Sequence, residues 1–331
     1  MRAYLSPWPC MNARGGWVAA LAVALLLAGG RADTQSLSYS KGQNIFPAYE
    51  GWEEQPDGSR SFVFGYMNRN WEEEVDVPIG PGNQFSPGEA DQGQPTHFLP
   101  RRNRFIFRVP VPKQFTEKDE LIWTLTTRGR TEKAYATLRL DYKMDENIIA
   151  SETGALGAGT SSPEIRANKA PKLEIQGQKK MTANVGQPLT LITTVTDDGI
   201  PKRRGAGLSG GSVRNETGPN AASANALRAN QAMRPPVRAT VGKNVGLHLS
   251  WFVYRGAGKV TFDPEQSMVW EDTRTGANSP WAPIWTPPNM PADGRVTVRA
   301  TFAEPGTYVL RSRADDGGLT ADGEVTVTVT R

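Results

Sequence analysis

Short segments rich in β-branched and aromatic residues recur along the chain, separated by Pro, Gly, Asn and Asp. In the last segment Val325, Val327 and Val329 alternate with threonines, which is the pattern of a strand with one buried face. The segments predict strands at 60–67, 104–109, 121–127, 134–140, 189–196, 247–254, 295–302, 307–314 and 325–330. The pattern therefore predicts an all-β protein.

Helical periodicity contributes little after the first 32 residues, because only 222–233 permits a helix, through its alanines. Residues 143–170 are small and polar, as in a flexible inter-domain linker. We therefore predict two β-sandwich domains, at 37–142 and 171–331, with a low-complexity basic insertion at about 200–243 in the second; their immunoglobulin-like character is what the family resemblance implies.

The N-terminus has the pattern of a secretory leader. Arg14 precedes an apolar run over 17–28, and small residues follow, which predicts a signal peptide at 1–32 cut after Ala32. The run is too short for a bilayer core of about 30 Å, so no membrane span is expected. Cys10, the only cysteine, lies in the leader, and we expect an exported protein without disulfides in the periplasm, at the cell surface or outside the cell.

Charge excludes one large class of partner. The leader carries Arg2, Arg14 and Arg31, so its removal lowers the 38 basic residues to 35, against 34 acidic residues. A nucleic-acid binder generally needs a larger basic field. Acidic residues concentrate in 50–76 and basic residues in 200–243, so the insertion is expected to meet an acidic partner, for which 50–76 of the same chain is one candidate.

The run FAEPGTYVLRSRADDGGLTADGEVTVTV at 302–329 resembles the end of a polycystic-kidney-disease (PKD) type, immunoglobulin-like module. Segments 185–198 and 251–262 resemble its second and third strands. The Trp-Asp-Phe-Gly-Asp-Gly signature of many such repeats is absent from the sequence. The resemblance implies a sandwich over 171–331 of a kind that serves mostly as a spacer or adhesive unit.

The first half resembles another β-rich module of bacterial secreted proteins, one without a settled activity. The matching residues are turn formers and core aromatics, such as Asn68, Asn70, Phe85, Phe98 and Trp123. The resemblance implies a fold and no chemistry.

Two familiar catalytic and cofactor patterns overlap at 205–211 and are rejected. The nucleophile elbow and the dinucleotide fingerprint each need a strand before and a helix after, and neither is predicted there. His248 is interpreted as structural, at a strand start. His97 is interpreted as a lone imidazole, without a second His, a Cys or a spaced carboxylate pair in its segment. A zinc site is therefore not expected.

Two Asp-Asp-Gly runs end predicted strands, and these loops would share one pole of an immunoglobulin-like sandwich. Their carboxylates suggest a weak Ca²⁺ or partner site, while the simpler interpretation is ordinary turn chemistry. The four residues are Asp197, Asp198, Asp315 and Asp316.

Tryptophans mark a second candidate surface, in the proline-rich stretch 264–291. These side chains would stack on glycan rings or pack against the sandwich edge, and we favour packing. They are Trp270, Trp281 and Trp285, whereas Trp251 is expected in the core.

The acidic run at 72–76 is interpreted as the solvated face of an edge strand. If 71–77 is a strand, Glu72, Glu74 and Asp76 share one face. Glu73 then shares the other face with Trp71 and Val75, so we expect it near an open edge or paired with an arginine such as Arg69.

These observations predict a non-catalytic binding, adhesion or structural protein that acts through its loops, with a protein or glycan partner at the cell envelope and no cofactor other than the Ca²⁺ considered above. The alternative is a carbohydrate-binding accessory protein, or a component of a polysaccharide-active system.

Overall fold

The computed structural model describes residues 39–152, 163–202, 246–270 and 288–331. The predicted signal peptide at 1–32 and nearly all of the basic insertion lie outside these residues. Within the described ranges, no helix is both long and apolar enough to cross a membrane. Strands dominate the described chain, as the sequence predicts, and the protein is all-β.

The N-terminal module is built from eight strands. One sheet has the order β1-β2-β6, a second has the order β4-β7-β8, and β3 pairs with β5 alone. All of these pairings are antiparallel. The strands are β1 (Ile45–Glu54), β2 (Arg60–Asn68), β3 (Val75–Asp76), β4 (Asn83–Ser86), β5 (His97–Phe98), β6 (Arg101–Pro110), β7 (Leu121–Thr127) and β8 (Arg130–Ala136).

The core of this module is aromatic. Phe64 from one sheet meets Phe85 and Trp123 from the other, with ring centroids 5.2 and 6.0 Å apart. Edge-to-face contacts of this kind add stability beyond the area that they bury. The strand predicted at 134–140 lies earlier, because the tight turn at Arg128 and Gly129 starts β8 at Arg130, and Leu140–Tyr142 forms a 3₁₀ turn.

The described residues of the C-terminal module also form two sheets, in the orders β13-β14-β11-β9 and β10-β16-β15-β12. The final strand β16 buries its valines and exposes Thr328 and Thr330, which confirms the alternation predicted from the sequence. The strands are β9 (Lys172–Ile175), β10 (Lys180–Asn184), β11 (Pro188–Thr196), β12 (His248–Arg255), β13 (Val260–Asp263), β14 (Arg295–Phe302), β15 (Gly306–Asp315) and β16 (Thr320–Thr330).

This strand order is that of an immunoglobulin-type sandwich. The first sheet corresponds to strands A, B, E and D and the second to C, F and G, with β10 added parallel to β16. Trp251 on β12, which corresponds to strand C, is buried. The Tyr308 hydroxyl donates to the Glu304 carbonyl at 2.9 Å, which forms the tyrosine corner of that fold. The immunoglobulin-like prediction is thereby confirmed, whereas the PKD subtype and the bacterial-module resemblance stay predictions.

The segment predicted as a flexible linker, 143–170, contains two short helices, α1 (Glu146–Glu152) and α2 (Pro163–Ala167). Helix α1 buries Ile149 and Ala150 in a cluster with Phe105 of β6 and Leu319, which precedes β16. The described part of this segment therefore packs against both modules, and residues 153–162 lie outside the description.

Candidate functional site

The two modules share a packed interface. The chain from Tyr39 to Arg331 forms one compact unit. Strand β12 is buried on both faces: Trp251 and Val253 belong to the C-terminal core, while Phe252 and Tyr254 belong to the N-terminal core. A strand with both faces covered reads as a nearly continuous apolar run, as LHLSWFVY does.

Two arginines carry charge into this interface. Arg311 and Arg313 on β15 are 5% and 6% exposed and lie opposite Glu324 and Asp322 on β16. Arg313 makes two hydrogen bonds of 2.8 Å to Asp322, and Arg311 bonds to Glu324. Burial opposes the ionisation of Asp322, but the two guanidinium groups outweigh it and lower the pKa of Asp322.

Arg311 also joins the two modules directly. Its guanidinium donates to the carbonyl of Ile106 on β6 and lies 3.4 Å from the centre of the Tyr254 ring. A planar guanidinium suits this double contact, because it stacks on an aromatic face while its edge donates hydrogen bonds. The side chain therefore links β15 of the second module to β6 of the first.

A second connection comes from residues 91–98, which we call the strap. Backbone N–H of Thr96 donates to the Tyr254 carbonyl, and the Thr96 hydroxyl accepts from the Gly256 N–H. Arg255 makes two hydrogen bonds to Asp91, at 2.7 and 2.9 Å, and a third to the Gln94 carbonyl. The strap thus covers the end of β12, which is otherwise the edge of its sheet.

The acidic run 72–76 lies beside the strap. The strand predicted over 71–77 is shorter, since β3 covers only Val75–Asp76. Ahead of β3, N–H groups of Trp71 and Glu72 donate to the carbonyls of Tyr39 and Ser40. This part of the run therefore holds the residues that precede β1.

Glu73 is paired with an arginine, but not with the one named from the sequence. Its carboxylate bonds to Arg128 of the β7–β8 turn and accepts from the Gly42 N–H at 2.7 Å. The partner lies 55 positions away in sequence, so local spacing gave no indication of it.

Glu74 and Asp76 share one face, and both contact His97. Nδ1 of the imidazole lies 2.7 Å from Asp76 Oδ1, and Nε2 lies 3.1 Å from Glu74 Oε2. The interpretation of His97 as a lone imidazole is therefore wrong, because the pairing of β3 with β5 sets Asp76 opposite His97. Burial lowers the pKa of His97, but the hydrogen bonds to Asp76 and Glu74 outweigh it and raise the pKa to about 9.

The two Asp-Asp-Gly loops lie near each other, because consecutive residues contact both. Asn168 donates to Asp316 at 3.1 Å, and the Lys169 N–H donates to Asp198 at 3.1 Å. Burial raises the pKa of Asp316 to about 7, although N–H groups of Leu319 and Gly318 and the Asn168 amide favour the ionised form.

The Ca²⁺ or partner site stays a prediction, and the carboxylates of these loops bond to nearby backbone N–H groups. Asp197 accepts from the Gly199 N–H, Asp198 from the Ile200 N–H, and Asp315 from the Gly317 N–H. These carboxylates serve the turns that contain them, as Asp-Gly sequences commonly do. Across the described ranges, no group of three or more His, Cys, Asp or Glu side chains is placed to hold a metal ion.

Of the three candidate glycan-stacking tryptophans, Trp270 packs against the N-terminal core, with its indole nitrogen buried. That placement agrees with the packing interpretation. Trp281 and Trp285 lie outside the described residues, as do the glycine patterns at 205–211. His248 is buried at the start of β12, with Nδ1 3.1 Å from the Gly246 carbonyl.

Sequence reasoning missed the buried amides that shape the loops around His97. Asn68 donates to the carbonyls of Glu73 and Phe98, and Asn83 donates to those of Val77 and Pro95. Both asparagines have no exposed surface. Asparagine in an irregular stretch indicates a turn, and nothing local shows that its side chain holds a second segment.

No family model matches the chain, and no curated protein matches it. Among solved structures, the chain is similar to the N-terminal eight immunoglobulin domains of Down Syndrome Cell Adhesion Molecule, at 10% identity, covering 86% of this chain and 27% of that one, with a TM-score of 0.22. It is also similar to a chimeric titin Z1Z2, at 10% identity, 88% and 100% coverage and a TM-score of 0.22. A third is the S-layer protein rSbsC, at 8% identity, 87% and 28% coverage and a TM-score of 0.21. At such scores the likeness carries no argument, and the assignment rests on the strand order and the tyrosine corner.

Proposed function

We propose that this chain is an exported, non-catalytic binding or structural element whose two sandwiches act as one rigid arm. The burial of β12 on both faces carries the proposal, because a strand shared by two cores leaves the modules no free hinge at that point. The loops at the outer ends of the sandwiches are then the surfaces that meet a protein or glycan partner at the cell envelope.

The arginines of β15 and their acidic partners on β16 support the same conclusion. A buried ion pair generally adds little net stability, because desolvation offsets the attraction. Arg311 and Arg313 nevertheless make specific bonds to Glu324 and Asp322, and Arg311 reaches the Ile106 carbonyl across the interface. Both ion pairs lie within the second module, so only the bond from Arg311 to the Ile106 carbonyl depends on the docking. Any other arrangement of the modules would leave this buried carbonyl without its donor.

The use of the titratable groups supports a non-catalytic role. The His97 imidazole bonds to two carboxylates, and the Asp316 carboxylate accepts from two backbone N–H groups and the Asn168 amide. A catalytic acid or base must reach a substrate proton. These groups instead connect segments of the chain.

Spin labels test the rigid arm directly, because the chain after the predicted cut contains no native cysteine. Lys133 on β8 and Thr297 on β14 are exposed, and cysteine at each position accepts a label. We expect a narrow distribution of distances between the labels, unchanged between about 0.05 and 1 M salt. A matched pair at Thr297 and Thr328, within one module, gives the width of a rigid reference.

Two results would decide against the arm. A distribution much broader than the reference, or a mean distance that moves with salt, contradicts it. The double variant Arg311→Ala with Tyr254→Ala should broaden the distribution and shows that the labels detect a loosened interface.

Export has its own test. A C-terminally tagged chain, expressed in a Gram-negative host, should appear in the periplasm or medium. Its measured mass should match a chain that begins at Asp33. Uncut protein retained in the cytosol would contradict the proposed leader.

A further inference from the structure

His97 is held in a geometry that fixes its charge. Both ring nitrogens lie within 3.1 Å of carboxylate oxygens, Asp76 on one side and Glu74 on the other. An ionised carboxylate accepts hydrogen bonds and donates none, whereas a neutral imidazole has only one N–H. Two such contacts therefore require the imidazolium, with a proton on each nitrogen.

The imidazolium lies at the point where the strap joins the second module. His97 follows Thr96, which bonds to Tyr254 and Gly256 at the end of β12. The partners of His97 lie on β3 and just before it, and β3 pairs with β5. The proton on His97 therefore ties the strap to the acidic run, and the strap in turn ties the modules together.

We propose that His97 is a proton-dependent clasp, which holds the strap against β12 while the imidazole is charged and releases it when the imidazole loses a proton. Loss of one proton leaves a ring nitrogen lone pair facing a carboxylate, and this contact is repulsive. The strap is then held at His97 by one hydrogen bond to one carboxylate. The inference rests on the proposed rigid arm and adds a condition under which the arm loosens.

The groups that face the clasp come from both modules. Glu74 and Asp76 contact the ring, with side chains 51% and 38% exposed, while His97 itself is 7% exposed. From the second module Tyr308 interacts electrostatically with Asp76. Water can thus reach the carboxylates while the imidazole stays covered, so a proton has a path to the site.

The direction of the pH dependence follows from the pKa values. Burial lowers the pKa of His97, but the two carboxylates outweigh this effect and raise the pKa to about 9, against an ordinary value of 6.5. A folded-state pKa above the unfolded value gives stabilisation that is complete below about 6.5. The clasp therefore weakens as pH rises from about 6.5 to 9.

Nuclear magnetic resonance of the imidazole nitrogens tests the charge. The chain has only two histidines, so His248 serves as an internal reference. We expect both nitrogens of His97 to carry protons at pH 7, with a titration midpoint near 9. A midpoint near 6.5, or a single protonated nitrogen at pH 7, overturns the clasp.

Hydrogen exchange tests the coupling to the second module. The amides of Thr96 and Gly256 should lose protection at least tenfold between pH 6.5 and 9.5, after correction for intrinsic exchange rates. The amide of Val327 in the C-terminal core should keep its protection. Unchanged protection at Thr96 and Gly256 while His97 titrates overturns the proposed release.

A pair of variants separates the clasp from general charge effects. Glu74→Gln should shift the His97 midpoint and the loss of protection together toward lower pH, whereas Glu72→Gln should move neither by more than a few tenths of a pH unit. Identical behaviour of the two variants contradicts the assignment. Spin-label distances at pH 6.5 test the rigid arm separately. A broad distance distribution at that pH contradicts the rigid arm whether or not His97 carries a proton on each nitrogen.

Discussion

The two sandwiches reach a similar architecture by different means. The N-terminal module holds long irregular connections with fully buried amides, such as Asn68 and Asn83, whose side chains bond to backbone carbonyls of distant loops. The C-terminal module relies on regular ladders, and its tyrosine corner bonds a carbonyl only four residues away. Buried amides such as Asn68 and Asn83 therefore connect distant segments of the first module, whereas the second relies mainly on its backbone ladders, with a comparable buried site at Asp316.

The largest effect is expected where one amide holds three segments. Asn83 donates to Val77 and Pro95 and accepts from the Trp123 indole at 2.9 Å. Asn83→Ala leaves these buried groups without their partner, and we expect a loss of about 3 kcal/mol or more in the free energy of unfolding. Urea denaturation measures the loss.

Asn184→Ala is the matched change in the second module. Asn184 lies exposed on β10 and accepts one hydrogen bond from Thr330, so a cost within about 0.5 kcal/mol is expected. Equal costs at the two sites would remove the contrast between the modules.

The core tryptophans form a second matched pair. Trp123 donates to Asn83, whereas within the described chain no acceptor lies in hydrogen-bond reach of the Trp251 indole nitrogen. Both lose similar volume on change to phenylalanine, but only Trp123→Phe leaves a buried acceptor without its donor. We expect Trp123→Phe to cost about 1 kcal/mol more than Trp251→Phe in urea denaturation. The reverse order would show that packing alone decides.

Tyrosine hydroxyls give a smaller contrast. The Tyr66 hydroxyl accepts from the buried Leu99 N–H, whereas the Tyr308 hydroxyl donates to the Glu304 carbonyl in an exposed turn. Tyr66→Phe leaves a buried donor unsatisfied, so we expect a cost of about 2 kcal/mol, against about 1 kcal/mol for Tyr308→Phe. Thermal melting of the two variants side by side checks the order.

Sequence patterns predicted the strands in which apolar and polar residues alternate. Strands β7 and β16 alternate cleanly. The predicted bounds of β7 agree with the structure, whereas β16 begins at Thr320, ahead of the predicted 325–330. Strand β1 was missed, because Pro47 and a bulge between Tyr49 and Gly51 break its alternation. Strand β12 was predicted as a strand, but the cover on its second face comes from another module and has no local signal.

The site around His97 depended on distant pairing. His97 lies 21 positions from Asp76 and 23 from Glu74, and only the short β3–β5 ladder brings them together. The acidic run and the histidine were both noticed in the sequence, but no periodicity connects them. Glu73 was expected near an open edge or paired with an arginine, because a carboxylate among apolar residues is costly without a partner. The identity of that arginine depended on the β7–β8 turn, which supplies Arg128.

The C-terminal module contains one polar site that resembles those of the first, and it gives the smallest expected change. Asp316 accepts from Gly318, Leu319 and Asn168, and its pKa is raised to about 7 from 3.8. A raised carboxyl pKa means that the folded state binds the proton more tightly, so stability falls as pH rises from about 4 to 7.

In Asp316→Asn the new amide keeps an oxygen for the two backbone donors. Asn168 rotates to offer its Oδ1, which has no partner within the described residues. We therefore expect the free energy of unfolding to change by less than about 0.5 kcal/mol at pH 5, and the variant to be relatively more stable at pH 7.5. Urea denaturation of the two proteins at each pH gives this difference. The contribution of His97 is the same in both proteins and cancels. A variant less stable by more than about 2 kcal/mol at both pH values would show that the ionised carboxylate is required, and would make this site unlike the amides of the first module.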